Sequence, residues 1–571
     1  MRWEGPISFP KEEIHHLIEE IGISETIAKL LLHRNIHNFD EANAYFNPDI
    51  RLLHDPLLMK DMGVASKLIL DTIKEEKPIM VYGDYDVDGT TSVTLLYTYL
   101  TSIGAKIITY IPDRYGEGYG VSIKGIDLAK EKGVSLIIAI DCGIRAVKQV
   151  EYAKSLDIDF IICDHHLPGE EIPNATAILN PKQNDCPYPY KELCACGVGF
   201  KLIQAIHTKR NGKLEDLYSY LDLVAIAIAA DIVPITGENR ILAAMGLTHL
   251  NEQEKRVGVQ SILESCNANN QILHITDLVF KIAPRINAAG RMKHAHHAVD
   301  LLIENNSDIA KKIASEIECY NRDRREQDKS ITQKALQQIK ENKEINKHTT
   351  VVYGENWHNG VLGIVASRLI ETYYRPTIVF SKGDSLLTAS ARSVEGFNIF
   401  EALNKCSHLL EKFGGHQAAA GLSLLPENYQ TFKEYFEKVV KETISEESLE
   451  PVINIEAEIN LRDLIPETGR KFSKLYRIIN RMRPFGPENN NPIFVTRNVM
   501  DAGSKAVGVD GKHLRLSIVD HTTKIPITGI GFGLGHKLNQ IDKMNFEVVY
   551  TLEENHWNGK TSLQLMVKDV R

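Results

Sequence analysis

A chain of 571 residues is too long for one hydrophobic core, and its length predicts about three or four domains. With 43% hydrophobic and 25% charged residues the composition is that of an ordinary folded protein, and the longest uninterrupted apolar run, Leu223 to Ala230, is far short of the roughly 18 residues that a membrane helix needs. The net charge of −9 argues against binding nucleic acid with the whole surface, but from Pro451 onward 17 basic residues stand against 13 acidic ones, a mildly basic module on an acidic body. The N-terminus carries Glu4, Pro6 and Pro10 where a signal peptide would be charged and then apolar, so a cytoplasmic protein is expected. Of the eight cysteines, Cys194 and Cys196 form a CxC with no second pair at zinc spacing, which predicts reduced, buried thiols.

In chain order, residues 1–58 predict short helices, such as Lys11 to Glu20 and Glu25 to His33. From about residue 59 strands and helices alternate. Lys77 to Tyr82, Val134 to Ile140 and Phe160 to Cys163 are short apolar runs, with helical stretches at Ser122 to Lys132 and Ala146 to Leu156 between them. Such alternation predicts right-handed βαβ units and a parallel sheet, which binds ligands at the carboxyl ends of its strands. Each run ends in a polar cluster: Asp84-Tyr85-Asp86-Val87-Asp88-Gly89, Asp141-Cys142-Gly143 and Asp164-His165-His166. Ile309 to Asn342 is highly charged with helical spacing and predicts a long connecting helix. A second α/β region runs from Thr349 to about Glu446, and the charged stretch Lys441 to Glu450 reads as a linker. Beyond Pro451, β-like stretches at Val452 to Ile459, Leu514 to Val519, Phe546 to Leu552 and Ser562 to Val567 predict a small barrel.

Asp84, Asp86 and Asp88 stand at alternate positions after a strand. On an extended segment they share one face, where they repel unless a cation lies between them, and hard divalent cations take oxygen ligands. A solvated acidic loop is the plain alternative. Asp86 to Thr91 also matches the DxDGT pattern of haloacid-dehalogenase phosphatases, whose first Asp is a nucleophile. Asp141 and the His165-His166 pair at the next two strand ends argue against that, because imidazole suits Mn²⁺ and such phosphatases use a Lys and further acids. Asp141 alone also reads as a helix N-cap. Asp231 closes the apolar run from Leu223, where a buried carboxylate needs a cation or donors.

The succession DYDVDG, DCG, DHH and AADIVP resembles the four phosphoesterase motifs of the DHH superfamily. Pro284 to Arg291 and the Gly414-Gly415-His416 stretch extend the resemblance to its RecJ exonuclease family over nearly the whole chain. The resemblance implies an α/β chain. A parallel-sheet DHH domain (59–308) follows an N-terminal helical segment (1–58). A long helix (309–345) joins it to a smaller α/β DHHA1 substrate-binding domain (346–446), and a β-barrel of OB type (451–571) ends the chain. Asp84, Asp86, Asp88, Asp141, His165 and Asp231 would be metal ligands around two Mn²⁺ or Mg²⁺ ions, with Asp141 bridging and His166 facing substrate. Arg114, Ser390 and Arg392 would bind a 5′ phosphate, and Arg285, Asn287 and Arg291, read as a loop, would hold the strand. Gly414, Gly415 and His416 would cradle phosphate, the alternative being a tight packing turn. Arg477, Arg481 and Arg483, with Phe472, Tyr476 and Phe485 among them, would track single-stranded DNA, or else form the solvated face of a helix. His294, His296 and His297 read as surface or cap residues. The implied activity is two-metal hydrolysis of single-stranded DNA, 5′→3′, to 5′-mononucleotides. It would act in repair and recombination, as a monomer, beside single-strand-binding protein and a helicase. The rivals are a DHH phosphodiesterase for short oligonucleotides or cyclic dinucleotides, a non-catalytic DHH scaffold of a replication complex, and the dehalogenase-like phosphatase.

Overall fold

Five parallel strands form the first sheet of the computed structural model, in the order Lys106–Tyr110, Pro78–Gly83, Leu136–Ile140, Asp159–Cys163, Ala177–Leu179. The structure describes residues 1–114, 116–269, 271–541 and 545–571; Tyr115, in the loop that carries Arg114, lies outside them. The three central strands correspond to the three apolar runs, buried on both faces and therefore apolar apart from the exposed Asp159 that opens the last. The edge strands escaped the sequence reading: Lys106–Tyr110 is only half covered, and Ala177–Leu179 is three residues long. The first and third strands in the chain lie side by side with the second beyond the first. Crossovers therefore diverge between Pro78–Gly83 and Leu136–Ile140, and a crevice opens at their carboxyl ends. One apolar core lies on each face of the sheet. The run Leu223 to Ala230 lies within helix Leu221–Asp231, buried nearly all round. No helix among the described residues is long and apolar enough to cross a membrane.

Helix Ser307–Glu341, capped by Asn306, is the predicted connector. Its few apolar residues divide between two cores: Ala310, Ala314 and Ile317 join the first domain, Ile331, Ala335 and Ile339 the second. The second domain has a five-stranded mixed sheet in the order Lys412–Gly415, Ala419–Leu424, Leu387–Arg392, Thr377–Lys382, Thr350–Gly354, with only the last pair parallel.

The C-terminal strands close on themselves. Phe494–Asp501 pairs with both Phe546–Trp557 and His513–Asp520, and the ring is completed through Thr523–Gly531 and Lys560–Val570, whose mutual pairing is its one parallel joint. This five-stranded closed barrel is the OB arrangement. Val452 to Ile459 is not one strand: Val452–Asn454 pairs with Arg2–Glu4, and Ala457–Glu458 with the barrel. The N-terminal helices share the barrel's core, with Ile14, Leu17, Ile27 and Leu31 packed among Leu464, Ile479, Leu514 and Val548. The two ends of the sequence thus form one module.

Candidate active site

The crevice gathers the carboxylates, but not on an extended segment. Asp84 follows its strand directly, and helix Val87–Ser102 begins three residues on, with Asp86 as its N-cap (Oδ1 accepts from Gly89 N, 3.1 Å). The helix starts so close to the strand end that a Cβ on Gly89 would fall 2.4 Å from Asp84 O. Asp88 therefore lies in the first helical turn and points inward. Its carboxylate accepts from Ala195 N (2.7 Å) and Cys196 N (2.8 Å) at the N-terminus of helix Ala195–Lys209. Cys194 caps that helix and is a buried free thiol, as is Cys196. Asp141 is no N-cap, since the next helix starts at Val147. It stands in the left-handed region (φ 63°), held by its N–H donating to Cys163 O (2.9 Å). Asp231 arrives from the C-terminal end of a helix, where a carboxylate is disfavoured and a cation favoured.

These residues form overlapping groups. Asp84, Asp86 and Asp141 bring ligand atoms within 4.8 Å of one another, as do Asp88, His165 and Asp231, and as do Asp141, His165 and His166. His165 Nε2 lies 3.4 Å from Asp141 Oδ1, 3.6 Å from Asp231 Oδ2 and 3.9 Å from Asp88 Oδ2. Neighbouring ligands of one octahedral Mg²⁺-sized ion stand about 3 Å apart, so the spacing suits groups that contract slightly onto a cation. Asp84 Oδ1, both His165 ring nitrogens and Asp231 Oδ2 are buried without a hydrogen-bond partner. Such orphans are costly and point to an ion. Burial and mutual repulsion push the Asp84 and Asp141 carboxyls well above the carboxylate range, Asp88 to about 7 and Asp231 to about 9. Burial and neighbouring His166 hold His165 down at about 3, neutral and able to ligate. The donor set of oxygens with one imidazole fits two Mn²⁺ or Mg²⁺ ions.

Asp164, which the sequence reading left without a role, organises the third strand end. It accepts from Ile144 N (2.9 Å), His165 N (2.8 Å), His166 N (3.1 Å) and His166 Nδ1 (2.7 Å). Against the cost of burial, His166 keeps the Asp164 carboxyl at about 2. Although burial acts the other way, the bond to Asp164 raises His166 above the usual imidazole range. Its Nε2 meets Tyr119 Oη at 3.2 Å. Tyr119, Arg145 and His166 line a cleft of about 280 Å³ with His416, so the second domain faces the first across it. A Cβ on Gly415 (φ 148°) would strike Ala419 O at 2.3 Å, a packing turn, whereas one on Gly414 would meet nothing within 4 Å.

Beside the acids stands a group of guanidiniums. Arg114 lies over the Tyr85 ring (4.7 Å), between Asp84 and Asp86 in sequence. Burial, with Arg114, Arg324 and Arg392 close by, lowers Arg291 to about 10, and burial with Arg114 lowers Arg392 and His358. Ser390 and Arg392 lie on strand Leu387–Arg392, above the first turn of helix Leu362–Thr372. A Cβ on Gly363 there would fall 2.7 Å from Arg392 Nη2 and 3.5 Å from Ser390 Oγ. His358 is a member of this group that the sequence did not mark.

Other expectations fare differently. Arg285, Asn287 and Arg291 lie on helix Ala283–Met292, not on a loop. Asn287 and Arg291, four apart, share a face, and Gly290 packs against Tyr85 O. Arg291 Nη1 also donates to Gly360 O (2.8 Å) of the second domain. Arg285 turns away to form a salt bridge with Glu318 (2.6 Å) on the long helix. Arg477 and Arg481 lie on helix Lys474–Arg481 and Arg483 just beyond it, outside the barrel strands. Tyr476 is buried in the core and unavailable to bases. Arg477 pairs with Glu467 (3.2 Å), Arg481 Nη2 donates to Asn47 Oδ1 (3.3 Å), and Arg483 Nε donates to Asn480 Oδ1 (2.8 Å). His294 Nδ1 accepts from His296 N (3.2 Å), but the N-cap of helix His296–Ile303 is Ala295, without a side-chain cap bond.

Known proteins share this order of domains. Residues 78–228 match the N-terminal domain of the DHH family, residues 346–442 the DHHA1 domain and residues 456–569 the RecJ OB domain. The single-stranded-DNA-specific exonuclease RecJ of Bacillus subtilis is 34% identical over 573 residues, which cover all of this chain and 70% of that protein. The crystal structure of RecJ with Mn²⁺ from Thermus thermophilus superposes with a TM-score of 0.83 at 24% identity, over 100% of this chain and 79% of that one, and so shows the fold. A crystal structure of exonuclease RecJ bound to manganese matches at 29% identity and a TM-score of 0.60, over 69% of this chain and 97% of that one. The chain belongs to the RecJ family of DHH proteins.

Proposed function

We propose that this chain is a metal-dependent exonuclease of single-stranded DNA that works 5′→3′ and releases 5′-mononucleotides. The observation that carries this is the placement of a carboxylate–imidazole centre with orphaned ligand atoms directly beside a half-buried guanidinium group. Asp84, Asp86 and Asp141 would hold one Mn²⁺ or Mg²⁺, and Asp88, His165 and Asp231 a second shared with Asp141. When bound, the pair supplies an activated water and neutralises charge on the attacked phosphate.

The chain's own residues do the rest. Ala195 N and Cys196 N fix the Asp88 carboxylate, and the Cys163 carbonyl fixes the backbone that presents Asp141. His166, oriented by the bond from its Nδ1 to Asp164, directs its Nε2 edge into the cleft that His416 also lines, where the ring protonated at both nitrogens donates to phosphate. Arg114, Ser390 and Arg392 form a fork and hydroxyl that suit a terminal phosphate, with Arg291 and His358 beside them. A pocket that takes a chain end makes the enzyme an exonuclease. The OB barrel and Arg477, Arg481 and Arg483 would hold the strand beyond the site. The same reading places the enzyme in the cytoplasm beside a helicase and single-strand-binding protein, which open and present the strand.

The test compares 5′- and 3′-labelled single strands with Mn²⁺. The 5′ label should leave first, as a mononucleotide. Earlier release of the 3′ label would refute the polarity, and equal activity with and without a chelator would refute the metal chemistry.

A further inference from the structure

Asp231 is the one member of the ligand set that does not lie in a segment directly following a strand of the parallel sheet. After it the backbone turns through Ile232 in the left-handed region (φ 59°) and reaches Ile235 before the next helix begins at Gly237. This connection is gripped from behind by the segment that leads into the barrel. Ile235 N donates to Pro487 O (2.8 Å), and a Cβ on Gly486 would fall 2.5 Å from Ile235 Cγ1. Arg240, buried on the following helix, donates from Nη1 to Met482 O (2.9 Å) and Pro484 O (3.4 Å). Its Nε and Nη2 donate to Tyr45 O (3.3 and 3.0 Å), with the guanidinium 3.9 Å over the Tyr45 ring. Asn489 donates to the same Met482 and Pro484 carbonyls (3.1 and 2.7 Å) and accepts from Arg34 Nε (2.9 Å) and Tyr45 Oη (2.8 Å). Residues 482–489 are thereby tied at once to the N-terminal helices and to the backbone behind Asp231.

We infer that Gly486 and Arg240 are positioning residues for Asp231, so that the module made from the two chain ends sets where this ligand stands relative to Asp88 and His165. The inference rests on the two-ion reading above. A helix C-terminus does not hold a carboxylate by itself. The contacts behind Ile235 are therefore what keeps Asp231 facing His165 Nε2 at 3.6 Å. Residues that brace a metal ligand typically weigh about 10- to 100-fold in metal affinity.

The experiment measures Mn²⁺ binding to the full chain without DNA, by calorimetry and by the resonance signal of free Mn²⁺. Wild type should bind two ions. Gly486→Ala should weaken one of them by about 10- to 100-fold and leave the other within about twofold. Adding Ile235→Ala, which removes the atom the new Cβ strikes, should restore it. Arg240→Met, which keeps the stem and loses the donors, should weaken the same ion. Unchanged Mn²⁺ binding in a folded Gly486→Ala protein overturns the inference. So does equal weakening of both ions that Ile235→Ala does not reverse, because that is general destabilisation. Fewer than two ions on wild type overturns the two-ion reading itself, and this inference with it.

Discussion

Two groups of like charge lie side by side, the acids largely buried and the guanidiniums half-buried, and they are built in opposite ways. The acidic centre comes wholly from the first domain: two strand ends carry Asp84 and Asp141, a third leads into His165, and helix ends carry Asp86, Asp88 and Asp231. The guanidinium group is assembled from separate parts, with Arg114 on a loop, Arg291 on helix Ala283–Met292 and Arg392 on a strand of the second domain. Like charges gathered out of water repel strongly, so each group is an unfavourable arrangement until something of opposite sign lies within it. One asks for cations and the other for an anion. A phosphodiester chain with bound divalent ions satisfies both. Sheet topology secures the first group, and domain packing across the long helix secures the second.

The comparison breaks hardest at its shared acidic residue. Asp141→Ala should lower hydrolysis by roughly a thousandfold or more, since the ions provide several kcal/mol of transition-state stabilisation. Binding of single-stranded DNA, followed by fluorescence anisotropy, should stay within a few-fold because the arginines remain. Mn²⁺ at about a hundred times its Kd should stabilise wild type by about 2.7 kcal/mol, seen as a raised Tm, and the variant much less. Strong residual hydrolysis, or an undiminished Mn²⁺ shift in the variant, would mean that Asp141 is not the carboxylate shared by the two ions.

The second region should break differently. Arg392→Ala should slow cleavage of 5′-phosphorylated strands by about 10- to 100-fold, the worth of a charge-assisted hydrogen bond, and affect 5′-hydroxyl strands far less. Arg392→Lys should recover only part of the loss, because lysine lacks the planar fork. If both kinds of strand slow equally, the guanidinium group serves the metal centre and not a chain end.

The same contrast decides what was legible in the sequence. Asp84, Asp141 and His165 were readable because a buried parallel strand writes its end as an apolar run followed by a polar residue. Asp231 was readable only as a costly interruption of an apolar run, and nothing in that run said helix or strand. Asp164 was not readable, since its role is to accept four hydrogen bonds around the next turn. Arg285 looked identical to Arg291 until Glu318 took it. The joining of Ile14 and Leu17 to Leu514 and Val548 spans most of the sequence, and no local pattern records a pairing of that range.

The weakest expected effect lies on a helix that belongs to neither group. Leu475, Tyr476 and Ile479 bury one face of helix Lys474–Arg481 in the shared core, which leaves Arg477 and Arg481 outside. Arg477 is 41% exposed in its pair with Glu467, and such surface pairs are worth about 0–1 kcal/mol, so a phosphate can replace the carboxylate at little cost. Replacing Arg477 and Arg481 by Ala should therefore weaken single-strand binding several-fold at low salt. It should also flatten the dependence of log affinity on log salt by about 0.7 for each lost contact, about 1.4 in all. Cleavage at saturating DNA and the 5′-phosphate preference should not change. An unaltered slope would remove this helix from the strand's path. It would move the path onto the barrel, where exposed Lys505 and Arg515 stand opposite each other on paired strands.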